Sequence, residues 1–243
     1  MPIIHVLDKK LRLHQPENGF RTSLDTIMLS AACPAKDGQR VLDAGCGVGA
    51  AGFCVARRVP NLKLTGVDID ADFITMAQEN ITLNNFDPLD IEFHCAEIDQ
   101  FRRHEKPIFD HVISNPPYLN AGAYKTSPHE KKAIAIGHEH TGFTLELWIK
   151  ALHRLVKPKG SITIIHRADH TDQIIKAFEH RFGFIEIIPL WPKQGRNAKR
   201  VIIRAIKDRK GPCTLHRGIT LHTEDNAYTA EADAILRGNA IVE

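Results

Sequence analysis

The chain is poor in the features that would take it out of the ordinary globular class. Its 243 residues hold no run of about 18 apolar residues, which leaves no candidate membrane-spanning helix. Met1-Pro2-Ile3-Ile4-His5 lacks the basic-then-apolar pattern of a secretory leader, so a cytoplasmic location is expected. Cysteine is scarce. The five residues (Cys33, Cys46, Cys54, Cys95 and Cys213) are odd in number and lack Cys-x-x-Cys spacing, which argues against a disulfide framework and a zinc ribbon and for reduced thiols. His138-Glu139-His140 does not have the spacing of a zinc-protease helix, and the fourteen histidines are scattered, so no metal is expected. The net charge is only +3. Any polyanionic partner must therefore be signalled by where the charge lies.

What is present suits one α/β domain. With 43% hydrophobic and 25% charged residues, the chain is long enough for a full core, and a single domain over residues 1–243 is expected. It carries an N-terminal arm (1–35) and a basic hairpin followed by an acidic segment (184–243). From Lys193 to Arg217 nine Lys/Arg face one acid, Asp208; from Gly218 onward Glu224, Asp225, Glu231, Asp233 and Glu243 face Arg237 alone.

Short apolar–polar runs at 3–7 and 11–14 suit a small hairpin or an irregular arm. Ser23 is a candidate N-cap for a helix over 24–33 that Pro34 ends. Strands are expected at 40–43, 62–67, 91–94, 109–113 and 161–166, and helices at 50–58, 72–84, 144–156 and 171–182, with Lys157-Pro158-Lys159-Gly160 ending the third of these helices. Apolar strands at 184–190 and 200–206 have no helix between them and predict an antiparallel edge hairpin. Strand–helix alternation elsewhere implies parallel pairing with right-handed crossovers. The expected architecture is a Rossmann-like, seven-stranded, mostly parallel sheet between helices. Residues 119–143 have no clear period and read either as a substrate-contact loop or as disorder. A short docked helix is expected around Ala234-Ile235-Leu236.

Asp43-Ala44-Gly45-Cys46-Gly47-Val48-Gly49 joins the first of these parallel strands to its helix. Glycines let the main chain turn tightly and approach a ligand, while the helix N-terminus supplies N–H donors. Gly47, Gly49 and Gly52 also fit a dinucleotide pattern, but two features favour S-adenosylmethionine. Asp43 closes the strand where a carboxylate can face a cationic amino-acid portion and would repel a pyrophosphate. Asp68, followed by Ile69, ends the next strand, placed to accept from both ribose hydroxyls of either cofactor. Glu97, just past the third strand, reads as an acceptor for the cofactor's adenine amine or as a solvated cap on the next turn.

Asn115-Pro116-Pro117-Tyr118 follows the fourth strand. An exocyclic aryl amine is a poor nucleophile because its lone pair is delocalised into the ring. The Asn115 side-chain oxygen and the Pro116 carbonyl can each accept one of its N–H groups and draw the nitrogen toward tetrahedral geometry. Pro116 biases Asn115 to extended backbone, Pro117 freezes the next φ, and Tyr118 offers a stacking face. A stiff turn with no chemistry is the competing reading of these residues alone. In the connector between the last two strands, Lys193, Arg196, Lys199 and Arg200 read either as phosphate contacts or as a solvated, aggregation-resistant edge.

Taken together, these stretches resemble the bacterial tRNA(Val) adenine-N6 methyltransferase family within the class I methyltransferases. The glycine loop, Asp68, Glu97 and Asn115-Pro116-Pro117-Tyr118 are similar to its core. Gly19-Phe20-Arg21 with Ser23 and Asp25 resembles its N-terminal cofactor-side motif; Pro192-Lys193-Gln194 through Ala198 and Arg200, and Tyr228-Thr229 with Glu231 and Ile235-Leu236, resemble its C-terminal blocks. The resemblance implies that Arg21, Asp25, Asp43, Gly45, Gly47, Gly49, Asp68, Ile69, Glu97 and Asn115 hold S-adenosylmethionine. It implies a tRNA acceptor methylated at an adenine N6 beside the anticodon. Glu97 stands where relatives commonly carry Asp after a small residue. Two alternatives remain open on sequence: a glutamine-amide methyltransferase acting on a protein, and a nucleotide-binding protein or NAD-dependent dehydrogenase.

Overall fold

The computed structural model describes residues 2–17, 22–87, 90–117 and 144–242. Ile3–Val6 (β1) and Leu11–His14 (β2) pair as an antiparallel hairpin, reversed through Leu7, Asp8 and Lys9, all at positive φ. Two asparagines on the helix Ala71–Leu83 and its C-cap hold this hairpin in place. Asn80 Oδ1 accepts the His14 N–H at 2.7 Å, and Asn84 Oδ1 accepts the Arg12 N–H at 2.8 Å. Asn80 Nδ2 also donates to the Val48 carbonyl at 3.2 Å, tying the arm to the glycine loop. Buried amides of this kind must be satisfied, and each bond here spans more than thirty residues of sequence.

The main sheet is built from β3 (Arg40–Ala44), β4 (Lys63–Asp68), β5 (Ile91–Cys95), β6 (Phe109–Ser114), β7 (Val156–Arg167), β8 (Phe182–Trp191) and β9 (Arg200–Lys207), in the order β5-β4-β3-β6-β7-β9-β8. Only β9 runs against the direction of the other six, sitting antiparallel between β7 and β8. The expected hairpin is therefore present with its second strand inside. The strand count exceeds the expected seven because Thr214–Leu215 (β10) and Ile219–Thr220 (β11) pair in parallel along the outer edge of β8. Two-residue strands carry no periodicity to read, but they cover an edge that would otherwise invite intermolecular pairing.

One face of the sheet is covered by α1 (Leu24–Ala32), α2 (Ala50–Arg58) and α3 (Ala71–Leu83), the other by α4 (Leu145–Leu155) and α5 (Thr171–Phe178). Three of these helices begin on a recognisable cap. Ser23 precedes α1, the Asp70 carboxylate accepts from the N–H of Asp72 at 2.9 Å, and the Thr144 hydroxyl accepts from Leu147. The C-terminal helix α6 (Ala230–Leu236) is capped by Thr229 and buries Ala232 and Ile235.

Two expected boundaries are corrected. Lys157–Gly160 does not lie between a helix and a strand. It is a bulge inside β7, which starts at Val156 directly after α4; Val156 pairs with Phe109 and Ser161 with His111. Lys159 takes φ +64°, and Gly160 lies where a Cβ would stand 2.6 Å from the Asp110 carbonyl. α5 stops at Phe178 because Glu179 turns left-handed at φ +48°. Phe182, four residues on and at helical spacing, instead opens β8 and packs its ring 5.1 Å from Phe178.

Candidate functional site

All the parallel strands of the sheet end on one edge, and the sequence motifs sit there. After β3 the main chain doubles back: the N–H groups of Gly45 and Cys46 both donate to the Val67 carbonyl, at 2.8 and 3.1 Å. Gly45, Gly47 and Gly49 take φ of +73°, +53° and +83°, the left-handed region that only glycine enters without strain. Their surroundings differ. A Cβ on Gly49 would lie 2.7 Å from Phe53 and Phe93, and one on Gly45 would touch the Trp148 ring at 3.4 Å, whereas Gly47 faces open space with nothing within 4 Å. Gly47 is the point where a ligand can approach the backbone. Gly49 has a packing role, so Gly49→Ala should lower stability by about 2 kcal/mol through overpacking and φ strain, read as a fall in the urea midpoint with an unchanged slope.

Two carboxylates flank this loop. Asp43 is 2% exposed, and its Oδ2 accepts the Gly52 N–H in the first turn of α2 at 2.8 Å. Burial pushes its carboxyl up to about 7, opposed by that hydrogen bond and reinforced by the nearby charge of Asp68. Asp68 uses both oxygens, Oδ2 for the Gly47 N–H at 2.8 Å and Oδ1 for the Asp70 N–H at 3.0 Å. Burial raises its carboxyl also, against the lowering effect of these donors. A carboxylate offers about four acceptor positions, more than these donors fill. Two desolvated carboxyls beside an open glycine mark this strand edge as a candidate functional site.

Ile69, exposed beyond β4, and Glu97, half-buried beyond β5, lie on the same rim. The Ile69 carbonyl accepts from Cys95 Sγ at 3.5 Å, and the Ala96 N–H donates to the Asp68 carbonyl at 2.9 Å, which binds the two strand ends together. The Glu97 carbonyl starts the following turn, accepting from Phe101 at 2.9 Å.

The Asn115-Pro116-Pro117 corner stands next to the glycine loop. β6 pairs in parallel with β3, Ser114 opposite Ala44, so the next residues along the two chains are Asn115 and Gly45. The junction is bolted by a side chain that sequence reasoning gave no role. Ser114, fully buried, donates its hydroxyl to the Ala44 carbonyl at 2.8 Å and accepts the Trp148 indole N–H at 3.0 Å. Trp148 also packs on Gly45, so one α4 side chain fixes the loop and the corner together. At helical spacing it reads simply as core. Asn115 is half-buried, Pro116 buried and Pro117 exposed. Tyr118 and Arg21 lie outside the described residues, as do Gly19, Phe20 and 119–143.

The basic connector between β8 and β9 opens on this same edge, since Arg200 pairs with Arg167 at the carboxyl end of β7. Pro192, Gly195, Arg196, Asn197 and Lys199 line an open depression of about 410 Å³. Arg196 and Lys199 are exposed; Lys193 is half-buried and donates to the Glu224 carbonyl at 2.8 Å. Arg200 meets Asp25 at 2.7 Å, an ion pair joining a residue expected on RNA to one expected on the cofactor, and it anchors the base of the connector to α1. Elsewhere in the basic block, Arg204 binds Glu186, and Lys207 caps α4 through the carbonyls of His153 and Val156, so much of the cluster is structural. Among the described residues no group of three or more His, Cys, Asp or Glu is placed to hold a metal, and no helix is long and apolar enough to cross a membrane.

A methyltransferase-domain profile matches residues 35–205, from the end of α1 through β9. The chain belongs to that methyltransferase family. It is 27% identical over 201 residues to a tRNA1(Val) (adenine(37)-N6)-methyltransferase of Dyadobacter fermentans, covering 82% of this chain and 81% of that protein. It is 25% identical over 240 residues to the protein of the same name in Phocaeicola vulgatus, covering 98% and 97%. Among solved structures, a predicted O-methyltransferase from Agrobacterium tumefaciens superposes with a TM-score of 0.75 at 25% identity, over 90% of this chain and 98% of that one. The matches to these proteins extend over most of each chain, so the methyltransferase and its relatives are of similar length.

Proposed function

We propose that this methyltransferase transfers a methyl group from S-adenosylmethionine to the exocyclic N6 amine of an adenine in tRNA, in the anticodon loop of tRNA(Val). The observation that carries the reading is the adjacency of the open glycine loop and the Asn115-Pro116-Pro117 corner at neighbouring strand ends, locked by Ser114 and Trp148. Relatives bearing the tRNA1(Val) adenine-N6 name over most of the chain support tRNA as the acceptor.

The residues present fit the cofactor. Gly47 leaves room for a ligand against the backbone, and the Asp68 carboxylate retains lone pairs for a vicinal diol. Beneath the loop, a bound cation would favour the ionised form of Asp43, and Ile69 and Glu97 would flank an adenine. When bound, S-adenosylmethionine supplies an electrophilic methyl on a sulfonium. The protein's part is positioning. Asn115 Oδ1 and the Pro116 carbonyl accept the two amine protons, localising the nitrogen lone pair toward the loop; the prolines hold both acceptors in place; Tyr118 is assigned to stack the flipped base. The acceptors are neutral hydrogen-bond partners; as the nitrogen bonds to the methyl, the carbon–sulfur bond breaks to leave a neutral thioether, and the nitrogen's excess proton then passes to solvent water.

An oxygen acceptor, of the kind the Agrobacterium protein is named for, would bring one proton or none to a corner built with two acceptors, and an amine is the better match. A glutamine side-chain amide offers the same pair of N–H groups and is the competing acceptor. Incubation with a methyl-labelled donor and total tRNA, followed by nucleoside digestion, decides between them: N6-methyladenosine is expected, and label found only in protein overturns the reading. Phosphate contact by the connector has its own test. Arg196→Ala with Lys199→Ala should flatten the dependence of log affinity on log salt by about 1.4 for a single-stranded target. An unchanged slope would assign these residues to the solvated edge.

A further inference from the structure

Beside the basic connector lies an aromatic pair that nothing in the methyl-transfer site uses. The segment after β11 folds back on itself: His222 and Tyr228 bridge as an antiparallel pair, closed by the Thr223 N–H donating to the Ala227 carbonyl at 2.9 Å. Their rings stack with centroids 4.8 Å apart and planes within 26°. Tyr228 remains 46% exposed. Tyr228 is thus a partly exposed ring held in place by a second ring behind it, with a face open to a further stacking partner.

The platform is rigidly joined to the cationic depression. The His222 N–H donates to the Pro192 carbonyl at 3.1 Å, the Leu221 N–H to the Trp191 carbonyl at 2.8 Å, and Lys193 Nζ to the Glu224 carbonyl at 2.8 Å. Pro192 also lines the depression, alongside Arg196, Asn197 and Lys199. From the other side, Thr229 caps α6 and donates its hydroxyl to the Thr220 carbonyl at 2.6 Å, so the platform has ordered structure on both flanks. An exposed π face next to exposed cationic side chains is the combination that binds single-stranded nucleic acid, since any base offers a face and its phosphate a charge.

We propose that Tyr228, backed by His222, stacks on an unpaired base of the acceptor RNA other than the methylated one, while Arg196 and Lys199 take the adjoining phosphate. This rests on the tRNA reading above and deepens it, because it assigns a second nucleotide site that would hold the anticodon loop open beside the Asn115 corner. It makes Tyr228 a positioning residue for RNA and gives it no part in the chemistry.

The test uses the full chain, a fluorescent anticodon stem-loop transcript and a blunt duplex of the stem alone. Tyr228→Ala should weaken binding of the stem-loop, and raise KM for tRNA, about tenfold or more, with kcat and S-adenosylhomocysteine affinity unchanged and duplex binding unaffected. Tyr228→Phe should restore binding. Equal stem-loop affinity and KM in wild type and Tyr228→Ala would overturn the inference while leaving tRNA methylation intact, as would a loss that Phe fails to restore. A wild-type protein that neither binds nor methylates tRNA removes the reading beneath, and the inference with it.

Discussion

Asn115→Ala should lower kcat on tRNA by two to three orders of magnitude while leaving S-adenosylhomocysteine affinity within about threefold of wild type. The size follows from what the side chain is asked to supply. A preorganised hydrogen-bonding group that acts on charge developing in the transition state is typically worth about 10²–10³ in rate. Asn115 acts earlier than an oxyanion hole but by the same logic, since its oxygen accepts a proton whose acidity rises as the amine nitrogen becomes cationic. The cofactor should hardly notice, because the loop is held by other groups: Ser114 on the Ala44 carbonyl, Asp68 on the Gly47 N–H and Asp43 on the Gly52 N–H. Asn115 itself is half-buried at the end of β6, so truncation removes no core packing. Single-turnover methylation and calorimetry on the same preparation separate the two quantities. Turnover near the wild-type rate, with binding retained, would remove the corner from the mechanism.

The legible part of this molecule is the part written in local chemistry. The β3–α2 unit could be placed almost to the residue because glycine, an apolar strand and a strand-end acid each have one physical use in that order. The strands after it followed from apolar runs of ordinary length. What could not be read was long-range. Ser114 and Trp148 are thirty-four residues apart, and neither has a local signature; their hydrogen bond exists only because α4 crosses β6. The Arg200–Asp25 pair spans 175 residues and was split in the sequence between two separate roles. Lys157–Gly160 has the composition of a turn, but whether such a stretch lies between elements or bulges within a strand depends on the pairing partner, Phe109 to His111. The His222–Tyr228 platform falls in the same category, created by a two-residue strand too short to carry a pattern.

Asp43 should make the protein less stable as pH rises from about 4 to about 7, and Asp43→Asn should remove that dependence. The ordinary carboxyl of the unfolded chain titrates near 3.8, whereas burial holds this one at about 7 in the folded state. The native form therefore binds the proton more tightly than the unfolded form does. Below about pH 4 both states are protonated and nothing is lost; between about 4 and 7 the unfolded chain ionises first, and stability falls; above about 7 both are ionised and the loss is complete. Its full size is about 4 kcal/mol. Asp68 is raised by burial in the same direction, while Asp110 and Glu186 are lowered, chiefly by Lys157 and Arg204 against their own burial, so wild-type stability alone mixes opposing slopes. The difference between wild type and Asp43→Asn isolates one group, because asparagine can still accept the Gly52 N–H through its side-chain oxygen. Urea unfolding of the ligand-free chain at pH 5 and pH 8 should show the variant gaining about 2–3 kcal/mol on wild type between the two. Parallel stabilities at both pH values would mean that the loop does not hold this carboxyl neutral, and that its ionisation carries no stability cost for a cationic ligand to offset.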